Sequence, residues 1–167
     1  KGKKGLVESR ERQFQRLADH AKNIVIWLGR DLRCEYVNRE VQRLLGYASD
    51  ELLGKEIPWG EIVHADDYHI IERWQDAKQD KVASMEGEFR LYTKTRHMLF
   101  LSYRVALQYD DDTFTGLDLV AEDITQQKIA EQELRKANRK IQEFNARLTD
   151  DVSKKIRALR ESEERCK

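Results

Sequence analysis

The sequence predicts an α+β domain: a five-stranded antiparallel sheet with short helices on one face, an N-terminal capping helix and a long C-terminal coiled-coil helix. Three observations predict it. Three segments between Met85 and Glu122 alternate apolar and polar residues with period two. Short helical patterns before them are cut by Gly46 and Gly54. From Thr125 to Arg165 there is neither Gly nor Pro, and charged residues flank a regular apolar seam.

Leu6 to Ala21 has helical spacing, with Leu6, Phe14, Leu17, Ala18 and Ala21 on one stripe. Two readings of it stand side by side: a cap over the core, or a dimer interface formed by Phe14 and Leu17. Ile24 to Leu28 is a short strand apolar on both faces, Gly29-Arg30-Asp31 a turn, and Arg33 to Val37 the second strand of a hairpin. Asn38 stands where a helix cap belongs, before Val41, Leu44 and Leu45. Gly46 closes that helix; Ser49-Asp50-Glu51 opens another, closed by Gly54.

Ile57 to Val63 reads as an irregular apolar segment containing Trp59. His64-Ala65-Asp66-Asp67 leads into a helix with Ile70, Ile71 and Trp74 inward, and Lys78 to Lys81 is a solvated link. The three long strands then run through Phe89 and Leu91, through Leu101, Tyr103 and Val105, and through Leu117, Leu119 and Ala121. Each has one buried and one partly wet face. Arg104 and Ser102 fall on the outer phase. Thr93-Lys94-Thr95 and Asp110-Asp111-Asp112 supply the turns. The organisation is an N-terminal helix or linker over 1–21, a domain over 22–123 and a helix over 124–167.

The sheet hands over to the long helix at Asp123-Ile124-Thr125. Side-chain oxygens there can accept the unpaired N–H groups of the first turn. Along that helix Leu134, Ala137, Ile141, Phe144 and Leu148 are spaced by three and four, the pattern of a two-stranded coil. The steps from Leu148 to Val152 to Ile156 are both four, a stutter that locally unwinds such a coil. Asn138 and Asn145 flank the seam and help fix register. A parallel dimer is expected, since a lone solvated helix leaves this seam uncovered.

Lys+Arg and Asp+Glu balance at 31 each, which argues against a nucleic-acid-binding module. No apolar run approaches the roughly 20 residues of a membrane span, so no membrane contact is expected in this segment. Cys34 and Cys166 lie far apart, which fits a reducing, cytoplasmic setting. Asp66-Asp67 and Asp110-Asp111-Asp112 read as cap and turn rather than acid–base pairs, because no nucleophile or histidine pairs with either. No phosphate loop, nucleophile elbow or zinc-protease motif occurs. The segment is not expected to be catalytic. Trp27, Trp59, Ile70, Trp74, Phe89, Leu101 and Tyr103 are the candidates to line a small-ligand cavity; a filled core is the plainer reading of the same residues.

Several pieces together resemble the PAS family, the PAS/PAC sensory box of bacterial multi-domain signalling proteins. They are Phe14 to Ala21, Tyr36-Val37-Asn38 with Leu44-Leu45-Gly46-Tyr47, Ser49 to Lys55, Val63 to Asp67, Gly87-Glu88-Phe89-Arg90, and Asp123-Ile124-Thr125 with Gln127-Lys128. Ala65 departs from the family's proline, Leu32 from a common glycine, and Lys94-Thr95 from a common K-D-G turn.

The resemblance implies a sensory module that dimerises and relays a signal through Asp123, Ile124 and Thr125 to a covalently linked effector. A sensor histidine kinase is the first expectation for that effector. A diguanylate cyclase or phosphodiesterase setting, or a ligand-free dimerisation spacer, is the alternative. Leu159 to Arg165 resembles the linker opening a further PAS domain. No cofactor is required by the sequence. The family admits haem, for which His69 is the candidate, but no second His or Cys stands at ligand spacing. The cysteine motif of flavin photosensors is absent.

Overall fold

Side-chain alternation decides the sheet. The computed structural model describes Ala18 and residues 22–166. Strands β1 (Ile24–Gly29), β2 (Cys34–Val37), β3 (Ser84–Tyr92), β4 (Met98–Asp110) and β5 (Thr113–Asp123) form one antiparallel sheet in the order β2-β1-β5-β4-β3. Leu101 faces Phe89 on one side and Asp123 on the other, and Ile26 faces Val37 and Leu119. One face carries Ile24, Ile26, Leu28, Phe89, Leu101, Val105 and Leu119, all in the buried core. Helices α1 (Ser49–Leu52), α2 (Trp59–Ile62) and α3 (His69–Gln79) supply Leu52, Ile62, Ile71 and Trp74 to that core. Helix α4 (Thr125–Arg165) follows β5.

The turns show where the chain is forced. Gly46, at φ 82°, ends a π-helical segment, Val41–Leu45, its N–H donating to the Gln42 carbonyl. Leu32 (φ 61°) and Arg96 (φ 66°) occupy left-handed backbone, at or beside the turns where the sequence departs from the family pattern. Asp111 (φ 43°) and Asp112 (φ 67°) make the two-residue link from β4 to β5, a mirror-image hairpin turn matched to strand twist. Gly116 has to be glycine, since a Cβ there would lie 2.7 Å from the Leu28 carbonyl oxygen.

Four expectations change. Asn38 does not cap a helix with its side chain. It is 1% exposed; its Oδ1 accepts Val25 N–H at 3.0 Å and its Nδ2 donates to the carbonyls of Ala18 and Asn23, both at 2.8 Å. Those neighbouring backbone groups offered it more partners than the adjoining helix did. The segment around Trp59 contains a helical turn, α2, rather than only irregular chain. Lys78 belongs to the last turn of α3, with its ammonium 5.1 Å from the Phe114 ring centre. Arg33 makes a single bridge with Glu56 and precedes β2. The expected helix over Leu6 to Ala21, with Phe14 and Leu17, lies outside the described residues apart from Ala18.

The chain forms two compact units that divide between Thr125 and Gln126. Taken by itself, α4 is 41 residues long, about 60 Å at 1.5 Å per residue. None of its residues is buried. Leu134, Ile141, Phe144, Leu148, Val152, Ile156 and Leu159 are all exposed, and Ala137 with them.

Candidate functional site

The face of the sheet under the helices is filled by aromatic rings. Trp74 meets Tyr103, Trp59 and Phe89 edge-on, with ring centres at 5.2, 5.5 and 6.0 Å, and Phe89 meets Tyr103 at 5.3 Å. These offset geometries suit aromatic quadrupoles. Among the rings lies an interior void of about 20 Å³, with Ile57, Trp59, Phe89 and Leu101 in its wall. Small-molecule pockets run from roughly 300 Å³ upward, so this interior is a packed core. Trp74 Nε1 is buried and has no hydrogen-bond partner among the described residues.

A larger space opens at the hairpin end of the sheet. A cleft of about 390 Å³ lies between the β1–β2 turn, α2 and α3, and includes Asp31, Leu32, Glu56, Ile57, Trp59, Tyr68 and Trp74 in its lining. Ile57 and Trp59 line both spaces and so form the wall between them.

The seven candidate pocket residues therefore separate. Trp59 borders both spaces, Trp74 the cleft, and Phe89 and Leu101 the interior void. Tyr103 belongs to the aromatic cluster and Ile70 to the core without lining either space. Trp27 is a correction. Ile26 and Leu28 turn inward, so the residue between them projects from the opposite face. There it packs on Tyr36, ring centres 4.4 Å apart. The apolar-on-both-faces pattern of β1 carried that signal.

At the end of β5 the pairing with β4 continues past the last strand residue. Ile124 N–H donates to the Phe100 carbonyl at 2.9 Å, and Phe100 N–H donates to Thr125 Oγ1 at 3.0 Å. Thr125 in turn donates through both its backbone N–H (2.9 Å) and its hydroxyl to Asp123 Oδ1. One hydroxyl thus accepts from β4 and donates to Asp123, its full donor capacity. Ile124 is buried. The three junction residues named from the sequence form one hydrogen-bonded unit with Phe100, which the sequence did not single out.

A second unit joins the short 3-10 turn before α3, Ala65–Asp67, to the sheet. Arg90 donates to Asp67 through its backbone N–H (2.7 Å), Nε (2.9 Å) and Nη2 (2.8 Å). His64 N–H donates to the Arg90 carbonyl at 2.9 Å, and its ring stacks on Tyr92 at 5.8 Å. The hydrogen bond from Arg90, opposed by partial burial, holds the Asp67 carboxyl below the usual carboxylate range. Both motifs were visible in the sequence; their pairing across 23 residues was not. Likewise Lys94 Nζ reaches Glu51 Oε1 at 2.6 Å, which ties α1 to the β3–β4 turn. On the outer face, desolvation raises the pKa of Asp118, against a hydrogen bond from Gln108.

His69 is exposed, with Nδ1 2.9 Å from the Asp66 carbonyl oxygen. It does not line the interior void, whose volume of about 20 Å³ does not fit a haem. Cys34 is buried and Cys166 exposed, both as free thiols, and burial pushes the Cys34 thiol up. Among the described residues no helix is long and apolar enough to cross a membrane.

The family model described as PAS fold matches residues 35–115. Solved structures with the same fold include the PAS domain of a protein from Colwellia psychrerythraea, 18% identical, covering 70% of this chain and 98% of its own at a TM-score of 0.59. A sensory box histidine kinase/response regulator from Burkholderia thailandensis E264 is 19% identical, covering 78% and 98% at 0.60. A PAS domain from a two-component sensor histidine kinase is 15% identical, covering 70% and 98% at 0.56. At these identities the likeness is one of fold. No curated protein matches the chain.

Proposed function

The chain carries a PAS domain, and from that premise we propose that it is a dimeric sensory relay. A signal perturbs the sheet, the junction Asp123-Ile124-Thr125 transmits it, and the paired C-terminal helices bias a linked effector, a histidine kinase in the first instance. The observation that carries this reading is the hydrogen bond from Phe100 in β4 to Thr125, the first residue of α4. A shift of β4 changes the start of the helix directly. The exposed seam from Leu134 to Leu159 supports pairing, since an unpaired helix leaves those side chains in water. Two states a few kcal/mol apart suffice for a relay. The likeness to the Burkholderia sensory box histidine kinase and to the PAS domain of a two-component sensor histidine kinase supports a kinase as the effector.

Native mass spectrometry tests the first half of this reading. A dimer is expected, and a monomer at micromolar concentration overturns the paired-helix arrangement. Asp123→Ala in the full-length protein tests the second half. Output that no longer follows input, with the fold retained, is expected; a normal response removes the junction from the relay. One observation favours a second reading, a dimerisation spacer without a core ligand: the interior void is only about 20 Å³.

A further inference from the structure

With its core filled, the domain has its open spaces at the surface, among them the cleft of about 390 Å³ beside the β1–β2 turn. That volume lies in the range of small-molecule sites. Its walls supply three aromatic rings, Trp59, Tyr68 and Trp74. Among the described residues its charged lining consists of two carboxylates, Asp31 and Glu56, with no Lys, Arg or His. Asp31 is partly neutralised, with Arg33 Nε 3.3 Å away. Glu56 is exposed and makes no ion pair among the described residues. An anion is therefore repelled. A bare metal ion finds too few oxygen ligands, since calcium takes six or more. A compact organic cation meets both features: its apolar body covers the rings, its positive charge faces the ring quadrupoles and Glu56. Leu32, at φ 61° in the hairpin turn, is one of the residues that line the cleft.

We propose that this cleft binds a small organic ammonium compound with an aromatic or apolar body, recognised by Trp59, Tyr68 and Glu56. The proposal names a ligand class for the sensory reading and takes its purpose from that reading. Binding itself is measurable without any relay.

The test is a titration of the chain with benzyltrimethylammonium, benzyl alcohol and phenylacetate, followed by calorimetry and by the indole N–H resonances. The cation is expected to bind saturably and about tenfold more tightly than either of the others, a difference of about 1.4 kcal/mol. Glu56→Gln is expected to weaken it about fivefold, and Glu56→Gln with Asp31→Asn at least about tenfold. Both carboxylates are exposed, so the fold is retained. Glu61→Gln, outside the cleft lining, is expected to change nothing. Equal binding of the three probes, preference for phenylacetate, no saturation up to about 10 mM, or full affinity in the double variant overturns the proposal. A dimer that binds none of the probes removes the ligand class and leaves the relay. A monomer that binds the cation does the reverse.

Discussion

The Phe100 N–H donates to Thr125 Oγ1 at 3.0 Å, so a helix residue accepts the hydrogen bond that a further strand residue would have taken. Thr125→Val keeps the shape and removes that acceptor. The Phe100 amide is then left without its partner, at a cost of roughly 1–3 kcal/mol. Faster hydrogen exchange at Phe100 and a lower Tm are expected, with both restored in Thr125→Ser. Unchanged exchange in the valine variant shows that the bond does not hold the junction.

Asp67 and Arg90 make the corresponding tie for the turn that leads into α3. The folded pKa of Asp67 lies below its ordinary 3.8. A depressed carboxylate contributes stability above the unfolded value, and this is lost as pH falls through the folded one. Asp67→Asn should therefore lower Tm by several degrees near neutral pH. The gap from the wild type should close progressively below pH 3.8. A gap that is constant with pH down to acid removes the charge from the argument.

The exposed seam gives the third prediction. Ile141→Asp or Phe144→Asp places a charge where the paired-helix arrangement buries an apolar side chain. Losing about 1.5–3 kcal/mol of burial per chain raises the dimer dissociation constant more than about tenfold. Light scattering reads the mass, and circular dichroism should show lower helicity in the variants, since solvated helices are marginal. Variants that remain fully dimeric place the interface elsewhere.

Asp112, at φ 67° in the β4–β5 turn, carries strain that glycine does not. Asp-Gly is a preferred pair in this turn. Asp112→Gly also loses the ion pair with Lys81, but both groups are largely exposed and that pair contributes little. A net gain of about 0.5–1 kcal/mol is expected, the relief of strain less the entropy of glycine. Denaturant melting checks it; a loss of stability means that the ion pair or the turn geometry outweighs the strain.

Local pattern determined most of the architecture. Alternation along β3, β4 and β5 decided which side chains enter the core, because strand geometry fixes opposite faces for neighbours. Gly46 closed its helical segment, and the run from Thr125 without Gly or Pro specified a long helix with its seam. These are properties of adjacent residues, legible without a partner strand. The same pattern named Asp123, Ile124 and Thr125 but not Phe100, which reaches them from 25 residues away.

Tertiary structure decided the rest, wherever the outcome depends on what arrives from elsewhere in the chain. Asn38 had the residue type of a cap, yet Val25, Asn23 and Ala18 came within reach and took its hydrogen bonds. Trp27 had the composition of a pocket residue, yet its phase in β1 set it on the far face beside Tyr36. The seven aromatic and aliphatic candidates were open to a cavity as well as to the plainer reading, a filled core. Only their packed distances made the interior a void of about 20 Å³ and left an open cleft beside the hairpin. Sequence fixes which side chains share a face; volume is a sum over several elements, and it exists only once they have docked.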